Sequence, residues 1–348
     1  MTDQVTTGTA TAPETARPTT DGGGRQRARK LPSFDEFGTA MALVLLVVLI
    51  GIFHSDFLTK SVLLDTLRNA AFVAIVAYGM VFLLAMSEID LSVGGIYAVA
   101  LVLSAKWMAN GGMSPWVAAG LAIGVGALMG AFNGVLANVF RIPVIIITLG
   151  TLSMYRGLVT IISNGAAVTG IPTQNSFFTR LGGGWLGVPV AGWFVLVLGV
   201  VLTVVFTKTR FGSMVRAIGS NHQAAAFSGI PAARVRLYAL MLVGALAATA
   251  GVLSLAYFQG ADPTVGGGFE LQVIAAAIIG GTAVSGGSGT VPGALLGALI
   301  VAVINSGLIF FKVSPNWANF VTGAVILIAV GIDAGVRRRR AERALRGA

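Results

Sequence analysis

The segment TKTRFGSMVRAIGSNHQAAAFSGIPAARVR, Thr207 to Arg236, carries Lys208, Arg210, Arg216, Arg234 and Arg236 and no acid. It lies between two apolar runs, 188–206 and 236–258. How this insert is read decides the fold. As a loop at a membrane edge, its flanks become spanning helices and its charge places it on the cytoplasmic side. Its Ala-rich middle, AIGSNHQAAA, adds a short interfacial helix and turn.

The composition supports the membrane reading. Of 348 residues, 55% are hydrophobic and 10% charged, with a mean hydropathy of +0.86. A soluble domain is about 25% charged. The formal net charge of +10 comes mainly from the C-terminal tail and the Thr207–Arg236 insert. Basic residues in those places are cytoplasmic edge charges, so nucleic acid is not an expected partner. There is no cysteine, which removes disulfides and thiolate chemistry. His54 and His222 are the two histidines, so no metal site or Ser/His/Asp arrangement can be argued.

At about 20 residues per helix, the apolar runs give ten spans: 36–55, 67–86, 92–109, 115–137, 143–162, 188–206, 236–258, 270–285, 291–311 and 317–335. The third is interrupted at its start by Gly94 and Gly95. The eighth is short and ends in glycines, and the fifth contains Arg156. The expectation is an all-α polytopic bundle with both termini in the cytoplasm. Residues 1–33 read as a disordered tail, 34–335 as the membrane domain and 336–348 as a basic tail. The run TAMALVLLVVLIGIF, Thr39–Phe53, reads as a retained signal anchor. The outer segment 163–187 is polar and Gly-rich and is expected to fold back on the outer face.

Several polar residues lie within the apolar regions. Glu88 and Asp90, in LLAMSEIDLSVGG, admit three readings. Ser87, Asp90 or Ser92 caps the helix that follows, the acids lie on a transport path, or a carboxylate couples transport to a proton. Arg156 reaches the outer headgroups by snorkelling or faces the bundle. Pro143 suits a first helical turn, which makes Arg141 an inner-edge anchor. Gly293 and Gly297 share a helix face and suit close helix packing. The same glycine-rich run, with Gly287 and Gly289, also suits a broken helix that builds a polar site. It lacks a GK[ST] ending, so it is not a phosphate-binding loop. Asn133 and Asn305 are amides that must face protein or a cavity.

Four blocks carry a resemblance. MSEIDLSVGGIYAVA (Met86–Ala100), IPVIIITLGTLSMYRGLV (Ile142–Val159), the Thr207–Arg236 insert and GGTAVSGGSGTVPGALLGALIVAVINSGL (Gly280–Leu308) resemble, in order and spacing, the ribose/xylose/galactose-type permeases of bacterial ABC importers. Branched-chain amino-acid permeases are more distant members of that wider family. Two departures stand out. Ser87-Glu88 replaces the usual glycines or Thr-Gly before Ile-Asp, and Ser306 replaces a usual Asn.

The resemblance implies a non-catalytic permease subunit in the bacterial inner membrane. It imports a monosaccharide or related polyol and binds no cofactor of its own. It implies a second permease copy, an extracytoplasmic sugar-binding protein and a cytoplasmic ATPase that holds ATP and magnesium. Arg216, Ala217, Gly219, Asn221, Ala224, Ala225 and Gly229 match the element that docks on the ATPase. Asp90, Ser92, Gly94, Asn133, Thr148, Gly287, Gly289, Gly293 and Asn305 are candidates for the translocation path or for helix packing. The alternative is a cation-coupled secondary carrier that uses Glu88 or Asp90.

Overall fold

The computed structural model describes residues 34–314 and 317–328, with positions 2 and 331. They lie, position 2 aside, in one unit that starts at Phe34. Position 2 aside, the expected tails 1–33 and 336–348 fall outside the described residues, as does most of the last part of the tenth span.

The elements in chain order are α1 (Phe34–Phe53), a 3-10 turn (Ser55–Leu58), α2 (Lys60–Leu84), α3 (Val93–Ala109), α4 (Pro115–Phe140), α5 (Val144–Ser163) and α6 (Ser176–Leu181). A two-residue hairpin, β1 (Gly184–Trp185) and β2 (Val188–Pro189), comes next. It is followed by α7 (Val190–Lys208), α8 (Arg210–Ser220), α9 (His222–Phe227), α10 (Ala232–Phe258), α11 (Phe269–Ile279), α12 (Val291–Phe310) and α13 (Ala318–Ile328). The fold is an all-α bundle. The hairpin pairs Gly184 with Pro189 and Trp185 with Val188. Leu186 and Gly187 both have positive φ, the turn geometry a tight hairpin favours.

Local chemistry sets the helix ends. Pro115 and Pro292 occupy first turns, where a missing N–H costs nothing. Thr209, Asn221 and Thr290 accept backbone N–H bonds at the starts of α8, α9 and α12. Arg141, Asn164 and Gln259 end α4, α5 and α10 in the left-handed conformation.

Among the described residues, six helices are long and apolar enough to cross a membrane: α2, α4, α5, α7, α10 and α12. Of the ten expected spans, six are thus found as clear spans. Apolar helices occupy the other four positions: α1, with its apolar part Phe37–Phe53, and the shorter Val93–Ala109, Phe269–Ile279 and Ala318–Ile328. An 11-residue helix such as α11 extends roughly 16 Å, about half of a 30 Å hydrocarbon core. α2 also starts earlier than its apolar run, at Lys60, because the turn containing Asp65 and Arg68 stays helical. Arg68 pairs there with Asp65 at 2.5 Å and lies over the Tyr257 ring at 3.8 Å.

α2 and α10 form the buried centre, whereas α5 and α7 expose most of their surface. Backbones approach closely where glycine permits. A side chain at Gly130 would overlap the Leu240 carbonyl, and one at Gly244 would overlap the Gly126 carbonyl, so α4 and α10 touch along their length. Without a strong hydrophobic drive between helices in lipid, such contacts are a main source of association.

Candidate functional site

Three segments meet at the end of the bundle that carries the basic insert. The turn between α2 and α3, residues 85–92, lies in the middle. Gly219 of α8 presses on it so closely that a side chain there would overlap the Ala85 carbonyl and come within 2.7 Å of the Gly287 nitrogen. Gly287 N–H donates to the same carbonyl at 2.9 Å. Ser87, at φ 62°, donates its hydroxyl to the Ser285 carbonyl at 2.8 Å. The turn is thus clamped between α8 and the 283–287 loop. Gly289 packs further in, facing Val81 and Thr282.

A cleft of about 430 Å³ opens beside this clamp, lined by Glu88, Ile89, Gly219, Asn221 and His222 among others. A neighbouring cleft of about 520 Å³ is lined by Asn138, Arg141, His222 and Arg236. Glu88 Oε1 accepts from Arg236 Nε at 2.5 Å. Burial pushes the Glu88 carboxyl above the usual range, and the Arg236 charge pulls it back.

The insert itself has two faces. α8 buries Gly212, Val215 and Ile218. Arg216 turns inward, donates to the Phe206 carbonyl and lies over the Phe206 ring. Ala217 is half-buried and Ala225 is buried. Asn221, His222, Gln223, Ala224, Phe227 and Gly229 are exposed, and Phe227 is 92% exposed.

From Ile89 the chain runs inward and α3 starts well inside the bundle. Asp90 is fully buried. Its Oδ1 accepts from the Ser92 N–H at 2.8 Å and from the Ser92 hydroxyl at 2.7 Å. Asn133 of α4 donates to Ser92 Oγ at 2.8 Å, and the Tyr155 hydroxyl of α5 donates to Asn133 Oδ1 at 3.1 Å. Leu91 N–H donates to Thr148 Oγ1 at 3.1 Å. Asp90, Ser92, Asn133 and Tyr155 thus form one buried network, which leaves Asp90 Oδ2 without a partner, and Thr148 holds the adjoining backbone. Such a network fixes where α3 begins.

Gly94 lies one turn further on, where α3 meets the start of α11. A side chain there would overlap the Glu270 carboxylate and come within 2.8 Å of the Gly266 carbonyl and 3.5 Å of Arg156 Nη2. Arg156 lies three turns into α5, roughly 18 Å from its start. Its Nη1 donates to the Val265 carbonyl at 2.8 Å. Arg156 therefore faces the bundle instead of snorkelling outward. Arg156 Nη2 and Glu270 Oε2 are buried without a hydrogen-bond partner. The 262–268 loop thus dips to meet the start of α3, and two helix N-termini converge inside the protein. At the loop's exposed edge, bonds from Thr264 hold the Asp262 carboxyl below its usual range.

The remaining candidates lie apart from these sites. Gly293 and Gly297 abut the Gly280 and Ala276 carbonyls, between α12 and α11. Asn305 has a buried Oδ1 without a partner, and its neighbour Ser306 bonds Thr66 at 2.9 Å. Sequence reasoning missed the Glu88–Arg236 pair, Glu270 and the Gly126/Gly130/Gly134 contact face. A signal existed only for the last, whose glycines recur every fourth residue. Among the described residues no group of acids and histidines could hold a metal ion.

The family model described as branched-chain amino acid transport system / permease component matches residues 62–330. The ribose import permease protein RbsC of Bacillus subtilis (strain 168) is 37% identical over 298 residues, 86% of this chain and 92% of the relative. The D-allose transport system permease protein AlsC of Escherichia coli (strain K12) is 34% identical over 302 residues, 86% of this chain and 92% of the relative. The autoinducer 2 import system permease protein LsrC of Salmonella typhi is 34% identical over 297 residues, 85% of each chain. No solved structure matches.

Proposed function

Because the chain belongs to the branched-chain amino acid transport system / permease component family, among its sugar-importer permeases, we propose a full assembly and a division of labour around it. The chain is a non-catalytic, multi-pass permease subunit of a sugar ABC importer in the bacterial inner membrane. In the proposed assembly, two copies enclose one path. An extracytoplasmic binding protein delivers a monosaccharide or related polyol, and a cytoplasmic ATPase drives transport with ATP and magnesium. The basic end of the bundle faces the cytoplasm. All ten apolar helices cross or help to cross the bilayer, with α3 and α11 as incomplete helices completed by non-helical chain.

The insert between α7 and α10 carries this reading. α8 is packed into the bundle, while α9 presents Asn221, Ala224 and the 92%-exposed Phe227 outward. An exposed aromatic on a short, capped helix is suited to anchor a protein partner. It supports an ATPase contact on α9 and Gly229. Arg216, Ala217, Gly219 and Ala225 then act behind that surface by holding it to the bundle. On α5, Gly150, Ser153, Gly157 and Thr160 share one exposed face, and neither glycine has a neighbour within 4 Å. That face supports a second copy packed against it. The carrier alternative is weakened because Glu88 is engaged by Arg236 and Asp90 is buried.

The test is reconstitution in vesicles with the cognate ATPase and binding protein. Uptake should require ATP hydrolysis and ignore the proton gradient. Uptake that survives loss of the ATPase but collapses with the gradient would refute the reading.

A further inference from the structure

Glu88 pairs with a residue 148 positions away in sequence. Arg236 is the last residue of the basic insert and lies in the first turns of α10. Its Nε donates to Glu88 Oε1 at 2.5 Å, and its Nη1 donates to Asn138 Oδ1 at 3.0 Å. Asn138, near the end of α4, donates in turn to the Ala233 carbonyl at 2.9 Å. The two charged side chains are 13% and 22% exposed, so the pair is well shielded from screening water. His222 of α9 lines the same cleft as Glu88.

The 85–92 turn therefore meets the insert in two different ways. At Gly219 the contact is steric, with backbone against backbone. Such a contact transmits a push but gives way under a pull. At Arg236 the contact is a charged hydrogen bond, which resists displacement in both directions. Two residues beyond Glu88 lies Asp90, whose carboxylate holds Ser92 and, through it, Asn133 and Tyr155. Gly94 follows, at the junction of α3 with α11 and Arg156. A covalently short route thus runs from the insert to the polar junction inside the bundle.

We propose that the Glu88–Arg236 pair is the tie through which movement of the cytoplasmic insert pulls on the start of α3. Glu88 and Arg236 are positioning residues: they touch neither nucleotide nor substrate, and they make closure of the ATPase felt at the α3 N-terminus. The proposal rests on the reading of the insert as the ATPase-docking element.

The chain has no cysteine, so Ile89→Cys places a single thiol on this protein, in the cleft beside Glu88. The test uses the full chain reconstituted with its ATPase. It measures the rate of maleimide labelling with and without ATP plus orthovanadate. With the pair intact, trapping the nucleotide should change the rate by at least about fivefold. In the Glu88→Gln background the change should fall below about twofold, while the ATPase still co-purifies. Arg236→Lys, which keeps the charge, should retain the response, and the double swap Glu88→Arg/Arg236→Glu should restore it. Recovery on charge reversal assigns the effect to the pair itself, and a merely structural pair would leave the nucleotide-dependent change in labelling intact in Glu88→Gln. An undiminished response in Glu88→Gln overturns the tie alone. Failure of the unaltered chain to bind the ATPase overturns the docking reading and the tie with it.

Discussion

Replacing Gly219 by alanine adds one methyl group at the tightest junction of the basic end. That methyl would overlap the Ala85 carbonyl and lie 2.7 Å from the Gly287 nitrogen. Ordinary non-bonded heavy-atom separations are about 3.5–4.0 Å. α8 must therefore withdraw from the 85–92 turn by roughly 1 Å or more. Overpacking of this kind costs about 1–3 kcal/mol. The bond from Gly287 N–H to the Ala85 carbonyl, 2.9 Å long, passes through the same space. Its loss adds about 1 kcal/mol. The sum, about 2–4 kcal/mol, is carried at one contact, so displacement of α8 is the cheaper response than global unfolding. The expected variant inserts and binds its ATPase, which still hydrolyses ATP, yet the assembly transports fewer sugars per ATP, by about tenfold or more. Uptake and hydrolysis should be measured together in vesicles, with thermal stability in detergent as the control. An unchanged ratio of uptake to hydrolysis in Gly219→Ala would refute the view that this contact transmits movement.

Phe227→Ala should weaken ATPase binding by about 30-fold, the equivalent of about 2 kcal/mol at an aromatic anchor, with no change in thermal midpoint because the ring is 92% exposed. Titration of the ATPase onto immobilised permease checks this, and equal affinity would move the contact elsewhere. Asn133→Ala should cost about 1–3 kcal/mol by stripping the Ser92 hydroxyl of its donor inside a buried network. A thermal midpoint equal to that of the unaltered protein would show that the network does not hold α3. Gly157→Leu should leave the fold intact, since nothing lies within 4 Å, but should abolish self-association. Mass measurement in nanodiscs distinguishes one copy from two, and a persistent dimer would remove α5 from that interface.

The sequence announced what depends on local composition. The apolar run after Pro143 became α5, and the predicted span 291–311 is found as Val291–Phe310. Lipid demands backbone satisfaction within a helix, so apolar length translates directly into structure. The start of α2 was not legible, because Lys60 to Arg68 look like a loop until Asp65 and Tyr257 are seen to hold Arg68. The third and eighth runs had visible glycine interruptions, yet composition alone does not say that a span is incomplete. That follows only when Gly94 is found against Glu270 and Gly266. Glu88 looked like an uncompensated acid because its partner is 148 residues distant. Charge pairs across a bundle leave no periodic trace, whereas the glycines at 126, 130 and 134 did leave one.

The shortness of α11 bears on how the protein is made. Eleven residues reach only half-way through the hydrocarbon, too little to hold a segment in the bilayer unaided. Much of what anchors α11 comes from α12, where Gly293 and Gly297 admit the Gly280 and Ala276 carbonyls. The ribosome delivers α11 first. During that interval α11 lacks its principal partner and has chiefly α2 and α3 to pack against.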